Sequence, residues 1–225
     1  MTPEAKARQA IDRKLEQAGW IVQDMKQLNL GAGSGVAVRE YYTDTGPADY
    51  VLFVNRVAVG VVEAKRDDAG ANLTVAEQQS ARYANATLKW RTANTPLPFL
   101  FEATGQIVHF TDGRDPAPRA RELFHFFKAE TLAGWLAQTD SLRRRLAERM
   151  PALPTQNLRD CQIGAVAGLE KSLAQNKPRA LVHMATGAGK TFTAITAIYR
   201  LLKFGGARRI LFLVDTRNLG KQAHQ

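Results

Sequence analysis

The chain has 225 residues, with Lys+Arg 31 against Asp+Glu 21, a net charge of +10 and 45% hydrophobic residues. That is enough for one large domain or two small ones, and too apolar for disorder to be the default. The longest apolar run, Val51 to Val62, is broken by Asn55 and Arg56, which argues against a membrane span. A single cysteine, Cys161, excludes an internal disulfide and suits a reducing compartment. The opening MTPEAKARQA lacks the apolar region of a secretory signal, so a cytoplasmic location is expected. The basic excess favours a polyanionic partner through counterion release, although charge also serves solubility.

In chain order, Thr2-Pro3 reads as an N-cap and first helical position, and Gly19 as the stop of a helix over residues 3–18. Ile11, Leu15 and Ala18 form its apolar stripe. Glu4 falls on the same stripe, either as an acid facing a site or as an acid favoured by the helix dipole. Strands are expected at 20–25 and 36–42, separated by the loop LGAGSG. Those glycines lack the strand-to-helix context of a nucleotide fingerprint and are given no phosphate role. Asp49 to Lys65 then offers two β-rich runs joined across Asn55 and Arg56, an antiparallel pair. A turn at Asp67-Asp68-Ala69-Gly70, a helix over 75–88 and strands over 99–103 and 107–111 follow. Residues 119–149 read as a basic helical stretch, and 151–157 (PALPTQN) as a linker. The expected fold class is α/β: an α+β mixed-sheet domain over 1–150 with helices on its faces, then a second domain over 158–225.

Hydrolysing a phosphodiester with Mg²⁺ requires hard oxygen ligands, usually one or two carboxylates with water and substrate phosphate. Asp49 and Glu63 can supply the carboxylates, the Ala64 carbonyl can complete the shell, and Glu4 is a further candidate. Lys65 lies two residues beyond Glu63 on one strand and shares its face, where an ammonium can orient water or stabilise developing charge. The strand register sets a condition on this reading. A plain two-residue turn at Asn55-Arg56 would set Asp49 opposite Val62 and leave Glu63 on the other side of the sheet, so an odd loop or a bulge is required. Gln79 and Tyr83, an i, i+4 pair in the helix over 75–88, lean towards the sheet, with Arg82 on the same face as a phosphate contact. Asp49, Glu63 and Lys65 together resemble the PD-(D/E)xK nuclease signature, although Ala48 separates Pro47 from Asp49. Gln79 and Tyr83 resemble the QxxxY motif of RecB-type nucleases, which implies that the pair positions DNA beside the metal.

The apolar run 180–184 reads as a buried strand leading into MATGAGKT and a helix. A glycine turn at a helix N-terminus converges backbone N–H groups on phosphate, with Lys190 reaching the β and γ phosphates of ATP and Thr191 holding Mg²⁺. Met184 stands where the general motif has its first glycine. Thr186, Gly187, Ala188, Gly189, Lys190 and Thr191 resemble a helicase-type P-loop with that departure. Leu158 to Gln162 (LRDCQ) resembles the Q motif of superfamily-two helicases, which implies that Gln162 reads adenine with support from Arg159. ILFLVDTRNLGKQA resembles motif Ia, with Arg217 and Asn218 near the nucleic-acid backbone. No Asp-Glu box precedes Gln225, so weak ATP binding without efficient hydrolysis is expected of this chain.

A nuclease followed by the start of a RecA-like motor resembles the restriction (R) subunit of Type I restriction-modification enzymes. That resemblance implies a subunit that joins methyltransferase and specificity subunits, translocates double-stranded DNA with ATP, and cleaves unmethylated DNA with Mg²⁺. Type III restriction subunits resemble it less, because their nuclease follows the motor. The alternative is a superfamily-two translocase whose nuclease-like domain is a non-catalytic DNA-binding or docking module.

Overall fold

Alternating apolar residues and a tight Asn55-Arg56 turn organise the N-terminal half of the chain around one hairpin. The computed structural model describes residues 3–43, 46–65, 96–177 and 179–213. It divides into two compact units, Met1–Arg114 with Pro118–Thr139, and Asp115–Ala117 with Asp140–Gln225.

The first unit is a seven-stranded mixed sheet whose strands follow one another in sequence order. They are β1 (Ile21–Asp24), β2 (Gly35–Thr43), β3 (Gly46–Val54), β4 (Val57–Ala64), β5 (Phe99–Ala103), β6 (Val108–Asp112) and β7 (Arg121–Leu123). The β1–β2 and β4–β5 pairs are parallel and the others antiparallel. Helix α1 (Pro3–Gln17) buries Ala7, Ile11 and Leu15. The chain turns out of it at Gly19, whose φ of 86° is open to glycine at little cost. Helix α2 (Ala129–Leu136) contributes Ala129 and Leu132 to the same core, with Phe99, Phe101, Phe110 and Phe126. A second cluster, including Val36, Val38, Tyr41, Val51, Phe53 and Val61, lies within the same sheet. Alternation along β3 and β4 explains both, since successive side chains point to opposite faces.

The second unit holds α3 (Leu142–Glu148), α4 (Asp160–Ala174) and α5 (Lys190–Arg200), the last continuing as a π turn to Gly205. Arg200 is almost fully buried and ties this unit together, pairing with Glu170 at 2.6 Å and donating to the Pro151 carbonyl at 2.7 Å.

Three expectations need correction. Residues 119–149 are not one helical stretch. Residues 121–123 pair with β6 as an edge strand, and α2 and α3 are separate because the Ser141 side chain accepts from Arg144 N and starts a new helix. The division between units falls at Thr139 and Asp140, ahead of the linker, and α3 goes with the second unit. There Arg143 donates to the Leu173 carbonyl, Arg145 to the Gly205 carbonyl, and Arg149 pairs with Asp140. Residues 180–184 form no strand, and Leu181 is 94% exposed. An apolar run becomes a buried strand only where neighbours pair with its backbone, and no described residue does so. The helix over 75–88 lies outside the described residues. Among those described, no helix is long and apolar enough to cross a membrane.

Candidate functional site

The β3–β4 hairpin meets the register condition through a bulge. Asn55 and Arg56 make a two-residue turn with φ of 47° and 70°, the backbone of a type I′ hairpin turn, and Val54 pairs with Val57. The ladder then shifts: Phe53 pairs with Ala58, but Leu52 pairs with Gly60. Val59 is the extra residue. Beyond it Val51 pairs with Val61 and Tyr50 with Val62, and the next step sets Asp49 opposite Glu63 instead of Val62. Gly60 permits the close approach of β5 here, since a Cβ would sit 2.5 Å from the Phe99 carbonyl oxygen.

Around that alignment the charged groups form a small cluster. Asp49 Oδ2 accepts from the Ala64 backbone N–H at 2.9 Å, and Asp49 Oδ1 from Arg8 at 2.7 Å. Lys65 Nζ donates to Glu63 Oε1 at 3.1 Å, both side chains being largely buried. Burial pushes the Glu63 carboxyl above the ordinary carboxylate range, offset in part by the Lys65 hydrogen bond and reinforced by the charges of Asp49 and Glu102. The Lys65 N–H donates to the Ala103 carbonyl at 2.7 Å, fixing the end of β4 against β5.

Two of these groups were not anticipated from sequence. Arg8 comes from α1, and Glu102 stands beside Glu63 in the parallel β4–β5 register. Glu102 alternates with the buried Phe101 and Ala103 in β5, a period-2 signal that could have marked it as facing away from them. Nothing local marked Arg8. Of the remaining candidates, Gln79, Arg82 and Tyr83 lie outside the described residues, as does the Glu4 side chain, although Glu4 is within α1.

The donor set fits a hard divalent cation. Glu63 Oε2 is buried and accepts no hydrogen bond among the described residues, so a cation there would satisfy an oxygen that the protein leaves without a donor. Among the described residues no group of three or more His, Cys, Asp or Glu is arranged around one point. Two carboxylates suffice for Mg²⁺, which keeps several of its waters.

In the second unit Gly187 and Gly189 take φ of 78° and 83° ahead of α5, the left-handed geometry that turns backbone N–H groups inward. Lys190 Nζ bends back onto the Ala185 carbonyl at 3.2 Å. Gln162 is buried and held at both ends of its amide, accepting from Arg159 N at 2.9 Å and donating to the Ala188 carbonyl at 3.0 Å. Arg159 donates to the Gly187 carbonyl at 3.0 Å. The Gln162 amide thus braces the glycine turn. Thr186, Ala188 and Thr191 lie in or directly after that turn. Arg217 and Asn218 lie outside the described residues.

A mixed α/β protein with an acid–lysine cluster on a bulged hairpin, followed by a P-loop-like glycine turn, is the class that fold and site define. Comparison with known proteins narrows it. A family model described as Type I restriction enzyme EcoKI endonuclease subunit second domain matches residues 26–136. Another, described as Type III restriction enzyme, res subunit, matches residues 155–225. The chain is 30% identical over 270 aligned residues to the Type I restriction enzyme EcoKI endonuclease subunit of Escherichia coli, covering 98% of this chain and 23% of that protein. It is 43% identical over 58 residues to the EcoAI endonuclease subunit of Escherichia coli, covering 26% of this chain and 7% of that protein. Among solved structures, a fragment described as an HsdR subunit of a type I restriction enzyme from Vibrio vulnificus aligns with a TM-score of 0.43 and 20% identity, over 89% of this chain and 38% of that one. The chain matches the N-terminal part of Type I restriction enzyme endonuclease (R) subunits and spans less than a quarter of the length of the EcoKI subunit.

Proposed function

We propose that this chain carries the nuclease of a Type I restriction enzyme and the beginning of its ATP-driven motor, acting on double-stranded DNA that lacks protective methylation. The observation that carries the reading is the Val59 bulge, which sets Asp49 opposite Glu63 with Lys65 at 3.1 Å from the second carboxylate. Bulges recur next to active sites, where they re-aim a side chain.

Asp49, Glu63 and the Ala64 carbonyl would hold Mg²⁺, which when bound lowers the pKa of water and neutralises charge on the phosphate. Lys65, held against Glu63, orients the attacking water and stabilises the charge developing on the phosphoryl oxygens. Partial burial strengthens both effects, because the effective dielectric is lower than in water. Gln79, Tyr83 and Arg82 would position the DNA strand. In the second unit Thr186, Gly187, Ala188, Gly189, Lys190 and Thr191 would receive the phosphates of ATP with Mg²⁺, and Gln162, supported by Arg159, would read the adenine edge as well as hold the loop's shape. Methyltransferase and specificity subunits would complete the cytoplasmic complex, with cleavage awaiting an assembled, stalled motor.

The test is Mg²⁺-dependent cleavage of unmethylated plasmid by the complete subunit in its assembled complex. Glu63→Ala should reduce it at least about 100-fold, and equal cleavage by the variant would refute the site. A second reading draws on the engagement of Asp49, whose oxygens are both already bonded, to Arg8 and to Ala64 N. It makes the sheet unit a DNA-binding or docking module without catalysis, and it requires Glu63→Ala to leave cleavage intact.

A further inference from the structure

Arg8 is a charged group at the hairpin end that the proposed mechanism does not use, and its setting is specific. One guanidinium nitrogen donates to Asp49 Oδ1 at 2.7 Å and the other to Glu40 Oε1 at 2.8 Å. The helix beneath it is fastened to β3, since the Tyr50 hydroxyl donates to Asp12 Oδ1 at 2.9 Å and lies 3.3 Å from the Arg8 carbonyl oxygen. Tyr50 is the residue next to Asp49. Glu40 lies between Arg39 and Tyr41, which pair with Tyr50 and Ala48, so it falls opposite Asp49. Its φ of 47° is a left-handed conformation that a glutamate seldom adopts inside a strand. Three elements thus converge on one guanidinium: α1 delivers it, β3 fixes that helix, and a kinked residue of β2 supplies its second carboxylate. The Arg8 side chain is nevertheless 44% exposed, so it can release one partner without leaving a buried charge behind.

Resting on the nuclease reading, we propose that Arg8 is an exchangeable cation: it occupies Asp49 while no divalent ion is bound, and turns to a phosphate of the DNA when the ion takes that carboxylate. The electrostatics require a partner for the guanidinium in both states. A cation held by Asp49 and Glu63 repels a guanidinium on the same carboxylate oxygen, and Glu40, 70% exposed, retains it only weakly. A phosphodiester drawn to the ion presents the anionic oxygens that a guanidinium fork matches best. In the resting state the same contact keeps Asp49 in one rotamer and offsets the mutual repulsion of Asp49 and Glu63. Arg8 therefore both opposes premature ion binding and aligns substrate.

The exchange makes two measurements move in opposite directions. Mn²⁺ binding to this chain without DNA, followed by the electron paramagnetic resonance of free Mn²⁺, should tighten about two- to fivefold in Arg8→Gln, the range set by losing one half-exposed ion pair. Affinity for double-stranded DNA in Ca²⁺ should fall in the same variant, with the salt dependence reduced by about one phosphate contact. Arg8→Lys, which keeps the charge without the fork, should retain the salt slope. Thermal unfolding of each variant reports whether the fold persists, and Glu40→Gln, which leaves Arg8 and Asp49 in place, should repeat the Mn²⁺ result of the wild type within about twofold. Unchanged or weaker Mn²⁺ binding by a folded Arg8→Gln, with Glu63→Gln abolishing it, would overturn the exchange and leave the nuclease reading standing. Equal Mn²⁺ binding by the wild type and Glu63→Gln would overturn both.

Discussion

Two apolar stretches of similar composition meet opposite fates in this chain. Residues 51–54, VLFV, are buried in β3 between two neighbouring strands. Residues 210–213, ILFL, form no strand and are open, Leu211 and Leu213 being about four-fifths exposed at 81% and 80%. Side-chain hydrophobicity does not separate them, and β propensity is high in both. Neighbours do. In the sheet unit β2 to β6 each have a strand on either side, so backbone groups and side chains are satisfied together. In the P-loop unit no described residue pairs with 180–184 or 210–213, and the organised part is the helix set around Arg200 and Glu170. A strand is a property of its pairing, and the hairpin folds well because its partner is two residues away.

That contrast can be broken by substitution, the largest effect falling in the sheet unit. Phe101→Ala removes a fully buried ring in contact with Phe110 and Phe126, and should cost about 3–5 kcal/mol in chemical denaturation followed by tryptophan fluorescence. Gly60→Ala places a methyl against the Phe99 carbonyl beside the bulge; a loss of about 1–3 kcal/mol is expected, with the β4–β5 amides losing hydrogen-exchange protection first. Glu63→Gln should change stability by no more than about 1 kcal/mol while cleavage is lost, because relief of a carboxylate that burial disfavours is offset by taking the charge partner from the Lys65 ammonium. Leu211→Ser is the smallest, within about 0.5 kcal/mol of wild type. A large loss there would mean that the open run is packed in solution, and the contrast would fail.

The parts legible in sequence were those set by local chemistry. The helix stripe of Ile11 and Leu15, the stop at Gly19, the strands of the hairpin and the glycine turn before Lys190 all follow from spacing and backbone preference, and the structure holds each of them. The need for an odd loop or a bulge was legible as well, from the parity of the residues between Asp49 and Glu63, and the structure uses the bulge. Its position was not, because several residues of β4 could have been the unpaired one, and the close approach of Phe99 to Gly60 is a contact between strands that no local pattern records. Arg8 and Glu40 were invisible for a related reason: each reaches the cluster from a different element, and no local pattern records a meeting 41 positions apart in the case of Arg8 and Asp49; alternation in β5 gave Glu102 a face but not its neighbour Glu63. The helical reading of 119–149 failed because its periodicity continues across Ser141, where a side-chain cap restarts the helix, and because 121–123 found an open sheet edge.

The central claim is that Asp49 and Glu63 act as one site. Cleavage of unmethylated plasmid by the assembled complex, measured for Asp49→Ala, Glu63→Ala and the double variant, tests it most directly. If the two carboxylates serve a single ion, either substitution removes it, and the double variant should be no slower than the worse single variant. Losses that multiply in the double variant would show two independent contributions, and would contradict the account.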